Sequence, residues 1–287
     1  MKQAFRQGSV RCITPGGFHR MAYLDWGDPD NSRVLICVHG LSRCTRDFDF
    51  LAGAMAERYR VICPDVAGRG ASQWLKNPME YAIPTYASDM VTLIARLNVE
   101  EVHWVGTSMG GLIGMALAAL PDSPISRLVL NDVGPVVTAA SMARIGNYLG
   151  LAPRFASMEE AEQYVRAVSA SFGPHSDAQW RFLTEHVVRR DDDGRWRMHY
   201  DPALAVPFAT GLTGKDMELW GLYDAIRCPT LLTRGAQSDL LTAATAAAMT
   251  QRGPKAKLVE FQGVGHAPML MQDDQIAAVK AFLLDEI

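Results

Sequence analysis

The stretch Val102–Leu120, VHWVGTSMGGLIGMALAAL, changes its rule of construction halfway along. Val102–Val105 is β-branched and alternating, the pattern of a buried strand. Gly106-Thr107-Ser108-Met109-Gly110 is a turn, and Gly111–Leu120 reads as an apolar helix ended by Pro121. A serine therefore sits in a G-x-S-x-G pattern between a strand and a helix. A turn that tight puts the serine at a strained backbone angle, so its neighbours must be small. Gly106 and Gly110 remove Cβ atoms where strand and helix approach. The helix start aims unpaired N–H groups and a positive dipole at any oxyanion formed beside Ser108.

Composition bounds the rest. The chain has 287 residues, 48% of them hydrophobic, enough for one large core or a core plus a small cap. The formal net charge is -3 and no basic block suggests nucleic acid as a partner. The N-terminal MKQAFRQGSVRCITPGG contains no apolar run of the signal-peptide kind, and Gly111–Leu120 is too short to span a bilayer. These features predict a cytoplasmic protein without membrane contact. The five cysteines, Cys12, Cys37, Cys44, Cys63 and Cys228, lack C-x-x-C spacing, which argues against a disulfide framework and a zinc site.

Working outward, the runs His19–Leu24, Val34–Val38, Val61–Cys63, Ile125–Asn131, Thr230–Arg234 and Lys257–Phe261 read as strands. Phe48–Glu57, Thr85–Leu97, Ala243–Gln251 and Gln275–Leu284 read as helices. Strands alternating with helices predict a mostly parallel sheet. Between Gly134 and Ala225 no buried strand run appears, and helical patterns cover Ala139–Leu149, Met158–Phe172 and Trp180–His186. The expected division is a core of residues 1–133 and 226–287 with a helical cap, 134–225, inserted over the site.

Acyl transfer needs an activated nucleophile, a base with an orienting acid, and donors for the oxyanion. Ser108 is the candidate nucleophile. His266, after the last strand and the loop Gly263-Val264-Gly265, is the candidate base. Asp239, in the loop after Thr230–Arg234, is the preferred acid, with Asp132 at the end of Ile125–Asn131 as its rival. The backbone N–H groups of Leu41 and Met109 are the expected oxyanion donors. His39, Gly40, Gly106 and Gly110 are expected to shape the loops around them.

Taken together, His39-Gly40-Leu41, Pro64-Asp65 with Gly68-Arg69-Gly70-Ala71-Ser72, Gly106–Gly111, Gly235…Ser238-Asp239 and Gly263…His266 resemble the α/β-hydrolase superfamily. The match runs in order over nearly the whole chain outside 134–225. It implies an eight-stranded, mostly parallel sheet, a Ser-His-Asp triad, no cofactor or metal, and a helical cap after the sixth strand. Gly68-Arg69-Gly70 departs from the commoner Gly-His-Gly of that loop, a change expected to leave the chemistry alone.

The reaction expected is hydrolysis of a small-molecule carboxylic ester with an apolar acyl part. Carbon–carbon bond hydrolysis of ring-cleavage products, lactone opening and perhydrolysis use the same residues and stay open. The carbon–carbon hydrolases need basic groups for a dienoate, and no inward-facing arginine can be assigned from sequence. A ligand receptor on a hydrolase fold is a reading of a different class. Monomer and homodimer are both compatible with the chain.

Overall fold

The computed structural model describes residues 5–285. The first four residues of the N-terminal stretch read above, and the last two of the chain, lie outside them. Eight strands form one sheet: β1 (Phe5–Thr14), β2 (Gly17–Trp26), β3 (Val34–Val38), β4 (Arg60–Pro64), β5 (Val102–Thr107), β6 (Ile125–Asn131), β7 (Thr230–Gly235) and β8 (Lys257–Phe261). Their order is β1-β2-β4-β3-β5-β6-β7-β8. β1–β2 and β2–β4 are antiparallel and every other pairing is parallel.

The continuous apolar runs of the central strands follow from burial on both faces. Ile36, Trp104, Leu130 and Leu232 point into one apolar layer, and Leu35, Val105, Val129 and Leu231 into the other. α1 (Asp49–Met55) and the C-terminal helix Asp273–Leu283 cover the second face. α2 (Ile83–Leu97) and α3 (Met109–Ala118) cover the first.

β1 has no counterpart among the strands read from sequence. It is an edge strand on which only Val10 and Cys12 are buried, so its apolar alternation is too sparse to register.

Segment 134–225 holds α4 (Ala139–Gly146), α5 (Met158–Val168) and α6 (Asp177–Val187), close to the expected helices. It also carries strands. Arg154–Phe155, Trp196–Met198 and Val188–Arg190 make a three-stranded sheet, and Val136–Val137 pairs with Met217–Glu218. Strands of two or three residues are too short to show a period, which is why helical patterns dominate the reading of this segment.

Candidate active site

Sheet order puts the carboxyl ends of β3, β5, β6 and β7 side by side, and each delivers one part of the site. At the end of β5 the chain reverses into α3 through Ser108, whose φ of 52° and ψ of -115° lie outside the ordinary regions for a side-chain-bearing residue. The glycines are required by contact. A Cβ on Gly106 would lie 2.3 Å from the backbone of Gly110, and one on Gly110 would lie 2.0 Å from the Val38 carbonyl oxygen.

The carboxyl end of β6 supports the turn from beside it. Ser108 N–H donates to the Asn131 carbonyl at 3.0 Å. The buried Asn131 side chain donates to Thr107 Oγ1 at 2.9 Å and to the Pro268 carbonyl at 2.8 Å, and accepts from Thr233 Oγ1 at 2.8 Å. One amide thus ties the serine turn, β7 and the histidine loop together. In the sequence, Asn131 is marked only by its position next to Asp132 at the end of a strand.

His266 Nε2 lies 2.9 Å from Ser108 Oγ, and its Nδ1 lies 2.7 Å from Asp132 Oδ2. Asp132 is fully buried and also accepts from Gly235 N–H at 2.9 Å and Ser238 Oγ at 2.6 Å. The expected acid, Asp239, is corrected here. Its carboxylate turns the other way and receives Arg144 Nε at 2.5 Å and Nη2 at 2.9 Å. Successive residues of the loop after β7 divide the work, Ser238 facing inward to Asp132 and Asp239 facing outward to α4. Partial burial acts to raise the Asp239 pKa, but the Arg144 hydrogen bonds and charge, with His266 nearby, hold it below the usual carboxylate range.

The loop after β3 lies against the serine: a Cβ on Gly40 would be 3.7 Å from Ser108 Cβ. His39 is fully buried, and its Nε2 accepts the Val66 N–H at 3.0 Å. That leaves Nδ1–H to donate to the Gly40 carbonyl at 2.7 Å. Burial, with Arg69 and Arg43 nearby, pushes its pKa down to about 3, and the Gly40 bond only partly offsets this. A neutral ring bonded on both sides to backbone shapes the loop.

Arg69, at the departure from Gly-His-Gly, lies against the candidate site. Its side chain has no solvent exposure, and it donates to the Leu41 carbonyl at 2.8 Å, the Ala67 carbonyl at 2.6 Å and Tyr86 Oη at 2.9 Å. Its Nη2 lies 3.3 Å from Met109 Sδ. Both residues expected to supply oxyanion donors therefore touch one buried guanidinium. Met109 is the first residue of α3, so its N–H has no partner within the helix.

Two cavities meet at Ser108. One of about 400 Å³ is lined by apolar groups including Met109, Leu112, Val133 and Phe208. The other, about 70 Å³, has Ser108 and His266 in its wall together with Arg43, Arg144 and Tyr148. Arg144 is an arginine of 134–225 at the edge of the small cavity, its side chain 37% exposed, a placement that the sequence alone could not assign. Elsewhere, Cys12, His19 and Asp89 form a buried group whose possible ligand atoms lie within 4.8 Å of one another, with His19 Nε2 at 2.8 Å from Asp89 Oδ2. All five cysteines are free, and burial pushes the Cys44 and Cys63 thiols well up. Among the described residues no helix is long and apolar enough to cross a membrane.

The comparisons agree with this architecture. Residues 33–271 match the family model described as alpha/beta hydrolase fold. A 3-hydroxybutyrate-oligomer hydrolase of Cupriavidus necator is 52% identical over 98% of this chain and 99% of its own. The crystal structure of an alpha/beta hydrolase from Novosphingobium aromaticivorans superposes with a TM-score of 0.88 at 34% identity, covering 99% of both chains. That of a candidate hydrolase from Rickettsia typhi gives 0.91 at 32% identity, covering 98% of this chain and 99% of that one. On its sequence, its sheet order and its relatives, the chain belongs to the alpha/beta hydrolase fold family.

Proposed function

We propose that this protein is a serine hydrolase of carboxylic esters whose substrates are short oligoesters of a hydroxy acid. The observation that carries the reading is the hydrogen-bonded series Ser108 Oγ, His266 Nε2, His266 Nδ1, Asp132 Oδ2, at 2.9 Å and 2.7 Å. In this reading His266 takes the Ser108 proton as the serine attacks the ester carbonyl. Asp132 keeps the proton on Nδ1 and balances the imidazolium charge. The Leu41 and Met109 N–H groups receive the oxyanion, each contributing about 3 kcal/mol to the transition state. His266 then protonates the leaving alcohol, and water releases the acyl group by the same route.

Two further observations support it. The relative named for 3-hydroxybutyrate oligomers matches this chain end to end at 52% identity. Segment 134–225 supplies Arg144, Ile145, Tyr148 and Phe208 to the cavities at Ser108, which is what a cap over the site would do.

The test is turnover of a linear 3-hydroxybutyrate trimer and of p-nitrophenyl butyrate by the wild type and by Ser108→Ala. Cleavage of both by the wild type, and of neither by the variant, is the expected result. Turnover that survives the substitution removes the reading. Arg43 and Arg144 would also suit a dienoate carboxylate, so a ring-cleavage dienoate belongs in the same panel. Its preference over both esters would move the assignment to carbon–carbon hydrolysis.

A further inference from the structure

The two cavities at Ser108 differ in which of the reacting groups they share. Both contain Ser108, but only the small one has His266 in its wall. During ester cleavage the departing alkoxide takes its proton from the imidazole, so the leaving group must lie on the His266 side. The acyl portion is then left with the larger apolar cavity.

The leaving-group side carries two guanidinium groups, each already oriented by a carboxylate, with Asp47 itself in the wall beside Arg43. Arg43 gives Nε and Nη2 to Asp47 at 2.8 Å and 2.6 Å, and Arg144 gives the same two atoms to Asp239 at 2.5 Å and 2.9 Å. Arg43 is further held over the Phe172 ring, 5.5 Å from its centroid. Clamping one edge of a planar fork leaves its Nη1 side for a ligand and removes most of the ordering cost of binding. The cleft is small. Its volume of about 70 Å³ compares with about 10–15 Å³ needed for one water, so it holds a few heavy atoms and not a chain.

We propose that this cleft is a carboxylate subsite, receiving the last hydroxy-acid unit of an oligoester with its free carboxylate against Arg43 and Arg144. The inference rests on the ester-hydrolase reading above and adds direction to it. Ser108 Oγ bonds to the carbonyl carbon of the penultimate unit, and the ester C–O bond to the last unit breaks. The departing alkoxide takes the proton from His266, and the monomer leaves as a free hydroxy acid. Water then hydrolyses the acyl-enzyme and restores the serine proton. The shortened chain ends in a new carboxylate and is again a substrate, so the enzyme removes units one at a time from the carboxyl end.

The experiment compares a 3-hydroxybutyrate trimer, carrying ¹³C in its carboxyl-terminal unit, with the methyl ester of the same trimer. For the wild type the label should appear first in free monomer. The methyl ester should be cleaved with a kcat/KM roughly ten- to hundredfold lower, the size expected for losing hydrogen bonds to a charged group. Arg144→Gln should bring the acid-to-ester ratio down toward one. Label released first in a dimer, or equal kcat/KM for acid and methyl ester in the wild type, overturns the subsite while leaving the ester-hydrolase reading intact. Failure of the wild type to cleave either compound overturns both. The wild-type comparison needs no variant to fold.

Discussion

Replacing Asp132 with asparagine changes one atom, and the consequences can be followed donor by donor. The buried carboxylate receives Gly235 N–H on Oδ1, and Ser238 Oγ and His266 Nδ1 on Oδ2. An amide offers one acceptor oxygen and one donor nitrogen, so it cannot serve all three. If the nitrogen replaces Oδ2, His266 Nδ1 must accept. The ring proton then sits on Nε2, where it can no longer take the Ser108 proton. If the nitrogen replaces Oδ1, it confronts the Gly235 N–H, two buried donors go unpaired at about 1–3 kcal/mol, and the imidazolium loses its counter-charge. Either arrangement should lower kcat by about a thousand- to ten-thousandfold, equivalent to about 4–5.5 kcal/mol of barrier. Asp239→Asn is the comparison. It weakens an ion pair whose side chains are 37% and 46% exposed, a change of about 0–1 kcal/mol in stability. Its kcat on a neutral ester should stay within about tenfold of wild type. The assay is initial rates on p-nitrophenyl butyrate, with thermal unfolding followed by circular dichroism to verify folding. If Asp239→Asn loses as much kcat as Asp132→Asn, or if Asp132→Asn keeps more than a tenth of the activity, the assignment of the acid is wrong.

Four other expectations follow from the same structure. Arg69→Met should lower kcat on p-nitrophenyl butyrate more than it changes KM, by about tenfold or more, because it frees the Leu41 carbonyl and removes the buried charge under Met109; an unchanged kcat in a folded variant would sink this. Burial lowers the pKa of His39 to about 3 and of His103 and His199 to about 4, so the unfolded chain binds protons that the fold refuses. Their contribution to stability is complete above the unfolded value near 6.5 and declines as pH falls below it, for His39 by at most about 1.4 kcal/mol per pH unit. Asp65, raised to about 6 by burial, acts in the opposite sense, and the three histidines should outweigh it. A urea midpoint at pH 5 equal to or above that at pH 7.5 would contradict the balance. Gly110→Ala should abolish cooperative unfolding, since its Cβ meets the Val38 carbonyl oxygen at 2.0 Å. Gly53→Ala, in α1 where the added Cβ meets nothing within 4 Å beyond its chain neighbours and the backbone of its own helix, should raise stability by about 0.5–1 kcal/mol in the same melting assay.

Much of the fold was legible because its signals are local. A strand buried on both faces has to be largely apolar, as Val34–Val38 is throughout and Leu231-Leu232 is at the centre of its strand, and a strand that turns sharply into a helix has to place small residues around Ser108. Those constraints act within a few residues, so the sheet and the tight turn at Ser108 could be read from the chain alone. The edge strand Phe5–Thr14 and the short strands of 134–225 escaped because partial burial and two- or three-residue lengths leave no periodic trace.

Which aspartate contacts His266 was a different kind of question. Asp132 and Asp239 both follow a sheet strand, and both lie between Ser108 and His266 in the chain, so neither order nor spacing separates them. What separated them is direction. The chain leaves β6 at Asp132 with a φ of 54°, turning that carboxylate toward Gly235, Ser238 and His266, while Asp239 is drawn out to Arg144 on α4. The same holds for Arg69 and Arg144, whose roles depend on which carbonyl, sulfur or carboxylate stands opposite. Residue type and local pattern are written in the sequence, but partners distant along the chain are chosen only when the strands lie side by side. The reason is that a hydrogen bond forms between atoms about 3 Å apart and is blind to how many residues separate them.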